Sequence, residues 1–372
     1  MKILSFAVPC YNSAAYMRHC IDTLLEGGDE VEILIVDDGS TKDNTAEIAD
    51  EYEKKYPGIC RAIHQPNGGH GEAVNTGIRN AKGLYFKVVD SDDWVDADMY
   101  KDLMEGIRLH DATVAISGII RDYGERKIID NVIVPEGHYS KERIQKEIVD
   151  YLINRNGLYK LPFSGSLCNK LFLTSYLREY QMPVPDEVHI YEDTVISVPM
   201  IANAESVYVS GTSYYHYCTR DDSKLNTKNT ENIDRSISLS FDYMRTKADK
   251  AICDFYEMYC RLEMCIESVV FYENEELSFY GNIPKNSKLI VYGAGSFGKA
   301  LRKRLTDLGL NVVAWADIRG DGENIIRPDQ INDYEYDYIV IGAMLGDVIT
   351  NIRRSLIEIG IPEDRIFSIH YL

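Results

Sequence analysis

Three carboxylates, Asp90, Asp92 and Asp93, stand within four residues in the stretch YFKVVDSDDWVD, which runs from Tyr85 to Asp96. The half before them reads as a buried strand. Like charges this close repel one another, and burying even one is costly without compensation. Two carboxylates in D-x-D spacing at a strand end can bind a hard divalent cation. Mg²⁺ or Mn²⁺ takes few protein oxygens and fills its remaining sites with water or phosphate, so it would relieve the charge and hold a diphosphate. Asp90 and Asp92 are the candidate ligands, with Asp93 as a neighbour. Taken alone, the four residues read equally well as a solvated acidic turn or as a cap on the helix that follows.

Three further clusters have types and spacings of interest. VDDGS places Asp37 and Asp38 after a second buried strand, where a carboxylate can accept hydrogen bonds from a ribose or a base N–H. Gly39 permits the turn, and for Ser40 and Thr41 an Asx-turn capping the next helix is the preferred reading. VPCYN offers Tyr11 as a flat surface, although an isolated tyrosine is more often packing. NGGHG, residues 67–71, lets backbone approach a ligand closely, and His70 there could contact phosphate. Finally, Glu192 and Asp193 in HIYEDTVIS begin a helix, where the dipole favours negative charge. They are either plain helix-start acids or a general base kept ionised to activate a hydroxyl.

These loops need elements to hold them. ILSFAV is a strand, SAAYMRHCIDTLLE a helix with Ser13 as its expected N-cap, EILIVDD a buried strand, and TKDNTAEIADEYEKKY a helix closed by Pro57 and Gly58. CRAIHQ, the helix GEAVNTGIRNAK, the strand LYFKVVD, a helix over 96–110 and the strand ATVAISGII follow. This is the βαβ pattern of an open, mostly parallel sheet with helices on both faces. All four polar loops follow strands, and ligands of such sheets bind beyond the carboxyl ends of the strands. RKIIDNVIVPEG looks like an extended excursion, SKERIQKEIVDYLINR is an amphipathic helix, and YEDTVISVPMIANA is a helix beginning near Glu192. Residues 228–280 are helical. After a break at GNIPKNS, KLIVYGAGSFGKALRKRLTDLGLNVVAWAD restarts a βαβ unit, and the tail adds a strand and a helix.

The chain of 372 residues is too long for one ordinary domain. A hydrophobic fraction of 45% supports a sizeable core and excludes global disorder. The net charge of −19 argues against non-specific nucleic-acid binding and against an anionic membrane surface. Eight scattered cysteines, without CxxC or Cys/His metal spacing, read as reduced thiols. MKILSFAVPCYN reads as a first strand rather than a signal peptide, and no apolar run approaches the ~18 residues of a membrane span. The expectation is a soluble cytoplasmic protein, with peripheral contact at the inner face of the membrane left open.

Taken together and in order, VPCYNSAAYMRHCIDTLL, EILIVDDGSTKDNT, NGGHGEAVNTGI, GLYFKVVDSDDWV and IYEDT resemble a family 2 glycosyltransferase of the GT-A fold, over residues 1–220. The resemblance implies inverting transfer of a sugar from a nucleoside diphosphate, a UDP-sugar first of all, to a carbohydrate or lipid-linked hydroxyl in surface polysaccharide or glycolipid synthesis. It implies that Asp38 holds the base, Tyr11 stacks near it, Asp90 faces the ribose or metal region, and Asp92 ligates Mn²⁺ or Mg²⁺. Asp193 would deprotonate the acceptor with support from Glu192. Pro9, Asn67, His70 and Ser91 complete the donor loops. Many relatives carry an arginine facing the diphosphate where this chain has Val74, so His70, Arg220 or a lysine must substitute. YYHYCTRDDSKLN is similar to the family's Tyr-rich stretch, with Arg220 and Ser223 the nearest matches and Cys218 where arginine is common.

The C-terminal segment carries G-x-G-x-x-G at Gly293, Gly295 and Gly298, with Asp317 about 20 residues later. This resembles the small Rossmann-like domains found on sugar-modifying enzymes. Packing or oligomerisation is the preferred role over NAD binding, since the segment is half a dinucleotide fold. The expected architecture is therefore α/β: a GT-A domain with an open mixed sheet over 1–225, a helical connector over 226–284, and a small Rossmann-like α/β domain over 285–372. The alternative function is an NAD-binding oxidoreductase acting on nucleotide sugars through GAGSFG.

Overall fold

The computed structural model describes residues 2–122, 124, 127–149, 163–185, 188, 191–218, 233–263, 283–284, 286–307, 309–318, 320, 325–343 and 346–368. They fall into two compact units, one reaching Cys253 and one starting at Asp254.

The first unit is built on β1 (Leu4–Cys10), β2 (Val31–Asp37), β3 (Cys60–His64), β4 (Tyr85–Val88), β5 (Trp94–Val95), β6 (Val114–Asp122), β7 (Lys127–Asp130), β8 (Gly137–Ser140), β9 (Lys170–Leu173) and β10 (Ser206–Cys218). The sheet runs β3-β2-β1-β4-β9-β6-β10-β5, with β7 on β6 and β8 on β10. The first four strands are parallel. β9 then runs antiparallel to both β4 and β6, making the sheet mixed.

β1 and β2 are buried at every residue because helices cover both faces. Leu4, Phe6, Val8 and Cys10 join one core with α1 (Met17–Leu24), α2 (Thr45–Lys55) and α4 (Asp98–His110). The opposite face of β1 receives α3 (His70–Asn80), whose Gly77 lies so close that a Cβ would stand 2.5 Å from the Ala7 Cβ. Ser5 and Glu32 are the polar exceptions inside these strands. The Ser5 hydroxyl donates to Glu32 Oε1 at 2.5 Å, and the Gly83 amide donates to both, so the buried carboxylate is satisfied.

α5 (Thr174–Gln181), α6 (Glu192–Asn203) and α7 (Ile233–Met244) follow in the first unit, and α8 (Lys250–Glu263) runs across the boundary at Asp254. α6 is buried from Thr194 through Ala202, which fixes the position of its acidic first turn. One expectation is corrected. Ser13 does not cap α1, which begins at Met17 after Tyr16. The Ser13 hydroxyl instead accepts the Tyr11 amide and lies 2.8 Å from the Ser91 hydroxyl, linking two loops of the sheet edge. The 141–149 stretch is helical, with its second part wound more widely than an α-helix.

The second unit holds β11 (Lys288–Tyr292), β12 (Asn311–Ala316), β13 (Ile325–Ile326), β14 (Tyr338–Ile341) and β15 (Ile366–Phe367), all parallel and ordered β13-β12-β11-β14-β15. In its own counting this is 3-2-1-4-5, the doubly wound order. α9 (Ser296–Asp307) and α10 (Gly346–Glu358) belong to it, and separate apolar cores lie on its two faces.

Candidate active site

Register brings the polar loops to one edge. Cys10, Asp37 and His64 are paired across β1, β2 and β3, and Ala7 pairs with Val88, so each strand hands its loop to the same rim. The Val89 amide still donates to the Ala7 carbonyl at 3.0 Å. Pro9, two residues on, points the same way beyond the end of β4, so its missing N–H costs no ladder bond there. The rim is laced together by short contacts. Asn12, at φ +52, accepts the Thr41 and Lys42 amides, and its own amide donates to the Ser40 hydroxyl at 2.9 Å. The Ser40 amide donates to Asp37 Oδ1 at 3.0 Å, three residues on instead of the two of an Asx-turn, and α2 begins only at Thr45, so the expected helix-capping turn is not formed here. Gly39 sits at φ +69 with Asn67 so near that a Cβ would stand 2.8 Å from its amide nitrogen.

Asp38 is 3% exposed. Its Oδ1 accepts from the Gln65 side-chain amide and the Gly68 amide, and its Oδ2 from the Gly69 amide, all at 2.8 Å. It thus anchors the loop that carries Asn67 and leads into His70. Tyr11, by contrast, is 41% exposed on the same rim. Sequence reasoning missed Gln65, whose buried Oε1 has no partner among the described residues.

The acidic turn divides its labour. Asp93 is buried, accepts the Tyr215 hydroxyl at 2.5 Å and the Cys218 amide at 2.8 Å, and has its carboxyl pushed up to about 8 by burial and by the charges of Asp90 and Asp92. Asp93 is therefore a structural member of the turn. Asp90 stays partly exposed and lies 2.8 Å from His70 Nε2. Burial pushes the Asp90 carboxyl up, but the His70 charge and hydrogen bond outweigh it and hold the carboxyl below its usual range. The same pairing acts on His70. Burial lowers its pKa, yet Asp90, then Asp193 and Glu192, raise it to about 9, so the imidazole is cationic at neutral pH.

Glu192 and Asp193 open α6, directly after Tyr191 at φ +58. Burial and the neighbouring Glu192 charge raise Asp193 to about 6, against the pull of His70 and of the Leu167 amide. That amide donates to Asp193 Oδ2 at 3.2 Å, while the next residue, Cys168, sends its thiol to Asp90 Oδ2 at 3.5 Å. Consecutive residues thus hold the candidate base and the candidate cation ligand.

Beneath them lie two fully buried lysines that sequence reasoning passed over. Lys87 donates to the Cys168 carbonyl and stands over the Tyr215 ring, and Lys170 donates to the Ser164 and Ser166 carbonyls and to Asn169 Oδ1. A lysine inside the apolar run of β4 was the available signal.

The donor set suits a hard divalent cation. Asp90 and the half-buried Asp92 are the carboxylates of this turn that could hold it, and the charge that raises Asp93 is the charge a cation would offset. Among the described residues no group of three or more His, Cys, Asp or Glu is set to hold a metal. An ion there would share its sphere with phosphate oxygens and water, the usual manner of Mg²⁺. Arg220 and Ser223 lie outside the described residues.

In the second unit, a Cβ on Gly293 would meet the Gly342 carbonyl at 2.8 Å, and one on Gly298 would meet the Gly293 carbonyl at 1.9 Å, while space beside Gly295 is open. Two of the three glycines thus serve close packing. Asp317 Oδ2 accepts the Ala294 amide at 2.6 Å, bracing the same turn.

Residues 5–180 match the model of glycosyl transferase family 2, and residues 285–367 match one described as C2185-like, N-terminal. EpsJ, an uncharacterized glycosyltransferase of Bacillus subtilis, is 28% identical over 218 residues, covering 58% of this chain and 61% of EpsJ. The poly(ribitol-phosphate) beta-N-acetylglucosaminyltransferase TarS of Staphylococcus aureus is 26% identical over 223 residues, covering 59% of this chain and 36% of TarS. The match therefore spans about three fifths of the one relative and about a third of the other. The crystal structure of TarS 1-349 in complex with UDP-GlcNAc has a TM-score of 0.54 at 19% identity, over 83% of this chain and 80% of that one. The fold of the first unit is that of the GT-A nucleotide-diphospho-sugar transferases. Residues 5–180 form a domain of glycosyl transferase family 2. Among the described residues no helix is long and apolar enough to cross a membrane.

Proposed function

We propose that the chain transfers a sugar, with inversion, from a nucleoside-diphosphate sugar to a hydroxyl of a surface polysaccharide or glycolipid. A UDP-sugar is the favoured donor, because the TarS structures carry UDP and UDP-GlcNAc. A surface polymer is the favoured acceptor class, because TarS is named for poly(ribitol phosphate).

The carrying observation is that Leu167 and Cys168 hold Asp193 and Asp90 side by side. Displacement at an anomeric carbon passes through an oxocarbenium-like state with charge departing on the leaving group. The acceptor must lose its proton on the opposite face. Asp193, near 6, is ionised at neutral pH yet basic enough to take that proton; the Glu192 charge raises its basicity, and His70 and the Leu167 amide favour its ionised form. The cationic His70 beside Asp90 supplies positive charge toward the diphosphate, the place that Val74 leaves unfilled. Tyr11 and the Asp38-anchored loop border the base and ribose, with Pro9, Asn67 and Ser91 lining the same rim. Asp90 and Asp92 would hold Mn²⁺ or Mg²⁺, which when bound supplies charge stabilisation for the departing diphosphate.

A donor-hydrolysis screen across UDP-, GDP- and CDP-sugars with Mn²⁺ tests the reading. Release of UDP from a UDP-sugar is expected. Absence of turnover with every donor would overturn it.

A further inference from the structure

A buried ammonium is expensive, so Lys170 at the floor of the site needs a reason to be there. Its charge has the Asp193 carboxylate to answer. Burial lowers its pKa to about 7, with Asp193 pulling it back up. Its hydrogen bonds go to one short stretch, the carbonyls of Ser164 and Ser166 and the side chain of Asn169. The same stretch is gripped from the other side by α6. The Ser197 hydroxyl donates to the Gly165 carbonyl at 2.6 Å, and a Cβ on Gly165 would stand 2.3 Å from Thr194 Oγ1. Thr194 directly follows Asp193. Lys87 fixes the far end of the stretch by donating to the Cys168 carbonyl. The clamped segment then returns two contacts to the site, the Cys168 thiol on Asp90 Oδ2 and, the one that reaches the candidate base, the Leu167 amide on Asp193 Oδ2.

We propose that Lys170 is the positioning residue for the general base: by tying down the Ser164 and Ser166 carbonyls it sets the Leu167 amide that orients the Asp193 carboxylate. The inference rests on Asp193 being the base. It accounts for a lysine where an apolar side chain would pack at lower cost. A cation here fastens backbone carbonyls, which no apolar side chain can do, and it offsets the charge of Asp193. The charged groups facing Asp193 are Glu192, His70, Asp90 and Lys170, with the Cys168 thiol beside them.

The test uses the full-length chain with Lys170→Met, and Ser197→Ala as a milder loosening of the same clamp should the first variant fail to fold. UDP binding with Mn²⁺ is measured by titration, UDP release from UDP-N-acetylglucosamine and UDP-glucose by steady-state kinetics across pH, and amide exchange by mass spectrometry over 163–168. Lys170→Met should leave UDP affinity unchanged and lower kcat by about 10²-fold, the cost of a misplaced catalytic group. Its acid limb should move to higher pH, because a cation near the carboxylate is gone, and exchange over the segment should speed up. Ser197→Ala should shift every readout the same way by less. Unchanged kcat in an active background, or kcat and UDP affinity falling together with the acid limb unmoved, would overturn the positioning role alone. Wild-type protein that turns over no donor would overturn the base assignment and this inference with it.

Discussion

Asp193 meets two opposed demands. A base must be ionised at working pH and must still want a proton. Burial and Glu192 push it up, and His70 and the Leu167 amide pull it down, leaving it near 6. The sign follows directly: the carboxylate is the active form, so turnover should be flat above about 7 and fall roughly tenfold per pH unit well below 6. Asp193→Asn should lose about 10²–10⁴-fold in turnover while binding UDP as before, since proton transfer is removed and the donor loops are untouched. Wild-type turnover in that variant would reject the base assignment. Asp90, Asp92 and Asp193 were legible in the sequence because their clustering at element ends is local. The partition among Asp90, Asp92 and Asp93 was not. It depends on Tyr215, which reaches Asp93 from 122 residues away, and on His70, which reaches Asp90 from 20 residues away. Lys87 and Lys170 escaped for the same reason, since what satisfies each is backbone on a segment whose path no periodicity reveals.

At the scale of elements, the site is a consequence of where four parallel strands stop. Apolar runs and turn residues made those strands and α2, α3 and α6 readable, because alternation of buried strand and amphipathic helix is a strong local pattern. β9 was not readable. It has four residues, its partners β4 and β6 lie 85 and 56 positions back at first residue, and only that pairing gives it a direction. The missed start of α1 has a similar cause, since the Ser13 hydroxyl is drawn to Tyr11 and Ser91 instead of the helix. α3 delivers His70 and depends on contact between Gly77 and Ala7. Gly77→Val should destabilise the first unit by about 1–3 kcal/mol, because overpacking outweighs the few tenths that valine gains over glycine in a helix. Urea unfolding would measure it. An unchanged midpoint would show that α3 can lift off β1 without cost.

At the scale of the whole molecule, two units carry separate cores, one around β1 and β2 and the others on both faces of the five-stranded sheet. Separate cores predict separate cooperativity. Calorimetry should resolve two transitions, and UDP with Mn²⁺ should raise only one of them, by linkage to the folded first unit. A single transition would contradict this. The most direct test of the central claim, that the acidic end of β4 holds a cation and through it a nucleotide diphosphate, is calorimetric titration of UDP into wild type and Asp92→Asn with and without Mn²⁺. The account predicts tight binding to wild type only with the ion present, and at least about a tenfold loss in the variant, as expected when one ligand of a shared cation is removed. Equal UDP affinity in all four titrations would contradict it.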